Sequence, residues 1–161
     1  MISALPDDLL VQILLFLPTE DAVITMIMSK LWRLIWTMIP KLDYNDRYKK
    51  YEDSHVKLLS SCPVLKKLSV LRDEFDDNVT TFIVKVPSLE NLIYESSQKG
   101  CSRNLPISWN QPSSVPVCLL SHLEIFQFKG YRKRREEKLF VAYILANSKC
   151  LKTAGISLRS S

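Results

Sequence analysis

Leu5-Pro6-Asp7-Asp8-Leu9-Leu10-Val11-Gln12-Ile13-Leu14-Leu15-Phe16-Leu17-Pro18 opens the front end from which the rest of the chain is read. Pro6 stands where a helix start tolerates a residue without an amide hydrogen. Asp7 and Asp8 then set negative charge at the positive end of the helix dipole. Leu9, Leu10, Ile13, Leu14, Phe16 and Leu17 follow at helical spacing, and Pro18 stops the helix. Thr19 is placed to cap a second helix through Glu20, Asp21, Ala22, Val23 and Ile24. Ser29 opens a third, which carries Trp32 and Trp36 four apart on one face.

Of the first 42 residues, 26 are Ala, Val, Ile, Leu, Met, Phe or Trp, well above the 47% hydrophobic content of the chain. Three helices of this size enclose a small core and are marginal alone. Leu15 lies off the main stripe, and Val11, Met26 and Ile35 widen the apolar surface beyond one inward face. Two outcomes compete: a partner covers the excess, or the rest of this chain does.

With 161 residues the chain suits one or two small domains, and its net charge of +5 is mild. Much of the excess sits in Arg132, Lys133, Arg134 and Arg135, followed at once by Glu136 and Glu137, which reads as a solvated loop with a weak nuclear-import signal as the sharper alternative. Asp7 and Asp8 stand where a secretory signal would need positive charge. Glu20, Asp21 and Lys30 interrupt the greasiest region, so no membrane span is expected. Cys62, Cys101, Cys118 and Cys150 show no paired spacing and read as reduced thiols of a cytoplasmic and/or nuclear protein.

Beyond a polar, tyrosine-bearing connector from Lys41 to Ser54, an internal repeat sets the organisation. Leu65-x-x-Leu68-x-Val70 recurs as Leu89-x-x-Leu92-x-Tyr94, offset by 24 at all three positions. Leu123-x-x-Phe126-x-Phe128 and the weaker Leu151-x-x-Ala154-x-Ile156 follow at offsets of 34 and 28. The pattern suits a short strand whose alternate side chains face inward, with the first leucine plugging the loop before it. Pro63 and Pro87, each two positions before the leucine, fix the approach to the strand. Asp77 to Val86 and Glu136 to Asn147 read as helical, the latter with Leu139, Phe140, Tyr143 and Ile144 on one face. Ser96 to Ser114 reads as a surface loop.

Catalysis needs converging groups, and none converge here. Three glycines make no phosphate-binding loop. His55 and His122 have no metal-like spacing and no neighbouring nucleophile, and Cys118, in an apolar run, reads as a core thiol of raised pKa. No catalytic residue, metal site or cofactor is expected.

The series Leu5-Pro6-Asp7-Asp8-Leu9-Leu10, Ile13-Leu14, Phe16-Leu17-Pro18-Thr19, Ala22-Val23, Ser29-Lys30, Trp32-Arg33 and Trp36 resembles an F-box, with Leu31 standing where related sequences usually carry a basic residue. Trp109-Asn110-Gln111-Pro112, Val115 to Leu120, Leu123-Glu124, Gly130-Tyr131, Glu136-Glu137-Lys138, Tyr143-Ile144-Leu145 and Cys150-Leu151-Lys152-Thr153 resemble the FBD domain. Together with the repeat, these are similar to the plant F-box/FBD/leucine-rich-repeat family, of which this chain would be a shortened member. The resemblance implies an α+β fold: a three-helix F-box (residues 1–42), a connector (43–57), a short, truncated leucine-rich-repeat-like solenoid (58–95), a loop (96–108) and an FBD region (109–161). It further implies a non-catalytic substrate receptor of a Skp–cullin–F-box ubiquitin ligase. Leu5, Pro6, Leu9, Ile13, Phe16, Leu17, Val23 and Trp32 would meet a Skp-type adaptor, and through it cullin, while the repeats hold a protein target. Two other expectations compete with this one. The first is a short interaction protein that occupies the adaptor without recruiting substrate; the second is nucleic-acid binding through Arg132 to Arg135 and the tyrosine-rich connector, which the sequence favours least.

Overall fold

The strands are laid down in chain order, each beside the one before it. In the computed structural model the described residues are 5–18, 21–22, 25, 29–45, 62–72, 86–96, 109 and 111–159. They form α1 (Asp7–Phe16), α2 (Lys30–Trp36), β1 (Lys41–Asn45), β2 (Lys67–Arg72), β3 (Asn91–Ser96), α3 (Val117–Ser121), β4 (Ile125–Tyr131), α4 (Arg135–Asn147) and β5 (Thr153–Leu158). The strands make one parallel sheet of order β1-β2-β3-β4-β5.

The repeat read from the sequence is the register of this sheet. Leu68, Leu92, Phe126 and Ala154 stand side by side, as do Val70, Tyr94, Phe128 and Ile156. The plugging leucines Leu65, Leu89 and Leu123 are fully buried. A further copy, Ile39-x-x-Leu42-x-Tyr44, forms β1 in the same register, with Leu42 beside Leu68 and Tyr44 beside Val70. Residues 41–45, expected as the start of a polar connector, are therefore the first strand.

One carbonyl per unit fixes the next strand. Pro40 O accepts from Lys66 N and Lys67 N at 2.9 and 3.0 Å, and Lys66 O accepts from Glu90 N and Asn91 N at 2.9 and 2.9 Å. Glu90 O and Glu124 O repeat the arrangement with the two amides of the following unit. Before β2 and β3 the chain turns at Cys62–Leu65 and Val86–Leu89, closed by Leu65 N to Cys62 O and Leu89 N to Val86 O at 3.2 and 3.3 Å. Pro63 and Pro87 thus occupy the second position of a β-turn, whose φ proline already holds. Ser88 Oγ–H bridges back to Pro63 O and Leu65 O at 2.7 and 2.9 Å, tying one turn to its predecessor.

Aromatic rings fill the interior under β3 and β4. Phe140 of α4 lies 6.0 Å from both Tyr94 and Phe126 between ring centroids, and Tyr94 lies 4.9 Å from Phe128. Offset and edge contacts of this kind add to the burial of such large side chains. The helix expected over Glu136 to Asn147 is present as α4, with Phe140, Val141, Tyr143 and Ile144 buried. Leu139, expected inward, is 47% exposed, because Val141 takes the inward position instead. The segment Val117–Ser121, read in the sequence only as an apolar run, is the short helix α3.

The expected solenoid is corrected to a parallel sheet. The β3-to-β4 and β4-to-β5 connections hold the described helices α3 and α4, of unequal length, while the connections from β1 to β3 lie largely outside the described residues, so a coil of like units is not established; the helix expected at residues 77–86 lies outside the described residues apart from Val86. The three-helix front end is present in part. α1 and α2 stand as expected, while of the second helix only Asp21, Ala22 and Thr25 are described, and Thr19, its expected cap, lies outside the described residues.

The basic segment Arg132–Arg135 is held by a buried carboxylate. Glu137 Oε2 accepts from Arg132 N at 2.8 Å and Arg134 N at 3.2 Å, closing the loop in which Lys133 adopts φ 64 and leading it into α4. Burial pushes the Glu137 carboxyl above the usual carboxylate range, opposed by the Arg134 amide and charge. The folded chain therefore binds this proton more tightly than the unfolded chain. Glu137's contribution to stability is greatest below the unfolded-state pKa and declines as pH rises through the raised folded value. Glu137→Gln, which keeps an oxygen for the two amides, is expected to flatten that decline, as urea midpoints measured from acid to neutral pH will show. Gly130 has φ +75, and a Cβ there would run into the Ser96 carbonyl oxygen. Gly130→Ala is expected to cost roughly 1–3 kcal/mol, read from the same denaturation curves.

Candidate functional site

α1 buries one side and presents another. Pro6 caps it, with Leu9 N and Leu10 N donating to Pro6 O at 3.0 and 3.2 Å, and Asp7 and Asp8 occupy its first turn. Leu10 and Leu14, four apart, are buried against the core. Leu9, Ile13 and Phe16 form a second stripe, turned from the first by about 100°, the step of one helical residue. They are 44%, 39% and 89% exposed. Leu5, Leu15 and Leu17, also exposed, extend this apolar surface past both ends and around the side of the helix.

The second component is α2. Ser29 Oγ accepts from Trp32 N at 3.4 Å, the cap that the sequence anticipates. Trp36 is fully buried and its indole N–H donates to Thr25 Oγ1 at 3.3 Å, while Thr25 Oγ1–H donates to Ala22 O at 2.6 Å. These bonds tie α2 to the helical residues Ala22 and Thr25. Trp32 and Leu31 are half-buried and pack on the core, whereas Leu34 and Met38, on the opposite side of this segment, are exposed.

Of the anticipated docking residues, Leu5, Pro6, Leu9, Ile13, Phe16 and Leu17 therefore lie on the open surface. Trp32 is shared between core and surface, and Val23 lies outside the described residues. Leu34 and Met38 were legible as well, since they are four apart and opposite Trp32 and Trp36, but the tryptophans drew the reading to the other face.

The front end is joined to the sheet by one continuous core. Leu10, Leu14, Ile35, Trp36 and Ile39 belong to the same buried cluster as Leu42, Tyr44 and Leu68. Cys62 S–H donates to Trp36 O at 3.2 Å across the junction. A cavity of about 140 Å³ remains there, lined by Leu14, Leu17, Trp36, Ile39 and Leu42 among others, with the Lys41–Asp43 ion pair of 2.8 Å also in its wall.

The chemistry of the interior is inert. Desolvation pushes the Cys62 thiol up to about 12 and the Cys118 thiol up to about 11, so both stay protonated and are poor nucleophiles at neutral pH. His122 is exposed, and His55 lies outside the described residues. Among the described residues no three His, Cys, Asp or Glu side chains stand together as a metal site, and no helix is long and apolar enough to cross a membrane. What the described geometry offers is an exposed apolar surface along α1, beside Leu34 and Met38.

Residues 2–44 match the F-box domain family and residues 111–156 match the FBD family. A putative FBD-associated F-box protein of Arabidopsis thaliana is 33% identical over 157 residues, covering 97% of this chain and 75% of that protein. A putative F-box/FBD/LRR-repeat protein of the same plant is 39% identical over 125 residues, 78% of this chain and 25% of the relative. Another protein of that description is 66% identical over 55 residues, 34% of this chain and 12% of the relative. The chain thus spans a quarter or less of the length of these last two relatives. No solved structure matches. With an F-box domain leading into a mixed helix-and-strand fold and an FBD region over its last strands, this chain belongs to the plant F-box/FBD/leucine-rich-repeat protein family.

Proposed function

We propose that this chain is a non-catalytic receptor subunit of a Skp–cullin–F-box ubiquitin ligase, acting in the cytoplasm and/or nucleus. Its front end docks on a Skp-type adaptor, and cullin is reached through that adaptor. The parallel sheet holds a protein to be ubiquitylated, and transfer is carried out by other subunits. The domain boundaries proposed for these roles are those expected from the sequence, with residues 41–45 given to the sheet.

One observation carries the reading. Within the stretch that matches the F-box domain, Leu9, Ile13 and Phe16 stand open on a helix whose other side is anchored by buried Leu10 and Leu14. Anchoring one side of a short helix while leaving three large apolar side chains in water is unfavourable unless a partner covers them. The core junction at Trp36, Ile39 and Leu42 supports the division of labour, since it holds the open stripe and the sheet on one framework.

The test is co-expression with a Skp-type adaptor and affinity measurement on the purified pair. Leu9→Ala combined with Phe16→Ala is expected to remove roughly 2 kcal/mol or more of adaptor binding, as for large apolar anchors at an interface centre. The same pair of changes should lower the unfolding midpoint of the free chain only slightly, because Phe16 is almost wholly in water and Leu9 lies outside the buried core. Leu14→Ala should do the reverse in stability, costing about 2–5 kcal/mol. Undiminished adaptor binding by the double variant would refute the docking assignment.

A further inference from the structure

Charge is divided between two parts of the chain. Residues 1–29 hold four acids, Asp7, Asp8, Glu20 and Asp21, and no Lys or Arg. Residues 129–138 hold six Lys or Arg against two Glu, of which Glu137 is buried. Opposite fields of this kind steer two copies together head to tail and oppose the approach of like parts.

Each charged part carries an open helix face. On α4 the buried side holds Phe140, Val141, Tyr143 and Ile144. The other side presents Arg135 and Lys138 near its start, then Leu139, Ala142, Leu145 and Ala146, all exposed. Among the described residues no ion pair engages Arg135 or Lys138. Cations at the start of a helix also meet the positive end of its dipole, so these two are placed against local stability. Glu136, the other acid of this segment, lies about 100° round the helix from Arg135. On α1 the order is the same with the sign reversed: exposed Asp7 and Asp8 in the first turn, then the open stripe Leu9, Ile13 and Phe16.

The two faces match when laid parallel. Leu9, Ile13 and Phe16 advance by four and then three residues; Leu139, Ala142 and Ala146 advance by three and then four. Each run covers about 10 Å of helix. Large side chains then meet small ones, Ile13 opposite Ala142 and Phe16 opposite Ala146, with Leu9 beside Leu139. The turn before sets Asp8 against Arg135 and Lys138. Two copies of α1 in this arrangement would face acid to acid, and two copies of α4 cation to cation. Within one chain the faces stay apart. Leu14 of α1 walls the same cavity as Leu42 of β1, Phe140 of α4 packs on Phe126 of β4, and those strands are three places, about 14 Å, apart.

We propose that the free chain associates head to tail, with α1 of one copy seated in parallel on the outer face of α4 of another. The contact covers Leu9, Ile13 and Phe16, the stripe assigned above to the adaptor, so self-association and adaptor docking exclude each other. A chain without adaptor thus keeps its docking stripe covered by its own kind. A single pair of short helices is a small contact, which makes the association weak and concentration-dependent. The exclusion rests on the receptor reading; the association itself does not.

Sedimentation velocity of the full chain over a range of concentrations is expected to show species larger than a monomer, which diminish as salt is raised. Arg135→Glu combined with Lys138→Glu is expected to weaken the association at least about tenfold with the unfolding midpoint retained. Asp7→Lys combined with Asp8→Lys is expected to weaken it likewise. Mixing the two variants is expected to restore a complex, because the intact α1 of one meets the intact α4 of the other. Ala142→Gln, which fills the hollow opposite Ile13, gives the same reading should a charge variant fail to fold. Added Skp-type adaptor is expected to dissolve the association into pairs of one chain and one adaptor. A chain that stays monomeric at every concentration would overturn the proposal in favour of a different acidic partner for α4. Association untouched by the α4 variants, or adaptor-bound chains that still associate, would overturn it outright. The α4 variants leave α1 intact, so adaptor affinity is expected to be retained in them. An adaptor that fails to bind a chain whose association responds to these variants would refute the receptor reading and support this one.

Discussion

A single carbonyl oxygen at the start of each unit takes two amides from the next, and the sheet depends on this contact. Pro40, Lys66, Glu90 and Glu124 each supply it. The strand beyond can then be placed in only one register, because a slip of one residue would turn its apolar side chains to water and its polar ones inward. The buried residue immediately before the carbonyl, Ile39, Leu65, Leu89 or Leu123, fixes the same position from the core side. Backbone and side chain therefore specify one alignment independently, and agreement between such levels is what lets a sequence choose a single structure. Ion pairs decorate the same row, Lys66 with Glu90 at 2.9 Å and Lys152 with Glu124 at 2.8 Å, but they are solvent-exposed and follow the register rather than set it.

The same logic explains why the front end is both core and surface. The excess of apolar residues over the first 42 positions admitted two outcomes, internal cover or external partner. Internal cover is seen on one side of these helices, and the other side stays open. Leu10, Leu14, Ile35 and Trp36 close over β1, while Leu9, Ile13 and Phe16 remain outside. The helix is stable because of the first group and available because of the second.

Much of this was legible in the sequence, and the reasons are particular. The repeat was readable because each strand's inward residues are large and apolar, so the spacing of Leu68, Leu92 and Phe126 was preserved in plain view. The copy at Ile39-x-x-Leu42-x-Tyr44 was passed over because Lys41, Asp43 and Asn45 alternate with it and suggest a polar connector; that alternation is what a strand with one wet face should show. Leu139 was misassigned because its neighbour Val141, a smaller residue, takes the buried side of α4. Glu137 lies in the acidic first turn of α4, and nothing in the local pattern announces that its carboxylate is buried to hold two arginine amides. Leu5, Pro6, Leu9, Ile13, Phe16 and Leu17 are exposed, as a docking face requires, yet the half-burial of Trp32 follows from how α2 lies on the core, which no one-dimensional spacing encodes.

Ile39 links the two halves, closing the helical front end and supplying the plug of the first strand, with only Thr37 to Pro40 between α2 and β1. Such a join has no slack. Whatever grips the N-terminal helices and whatever rests on the sheet are held at one bearing and one distance, as two jaws cut from a single plate. On the receptor reading proposed above, that fixed bearing would limit which lysines of a client come within reach, because the seam has no swivel with which to search for them.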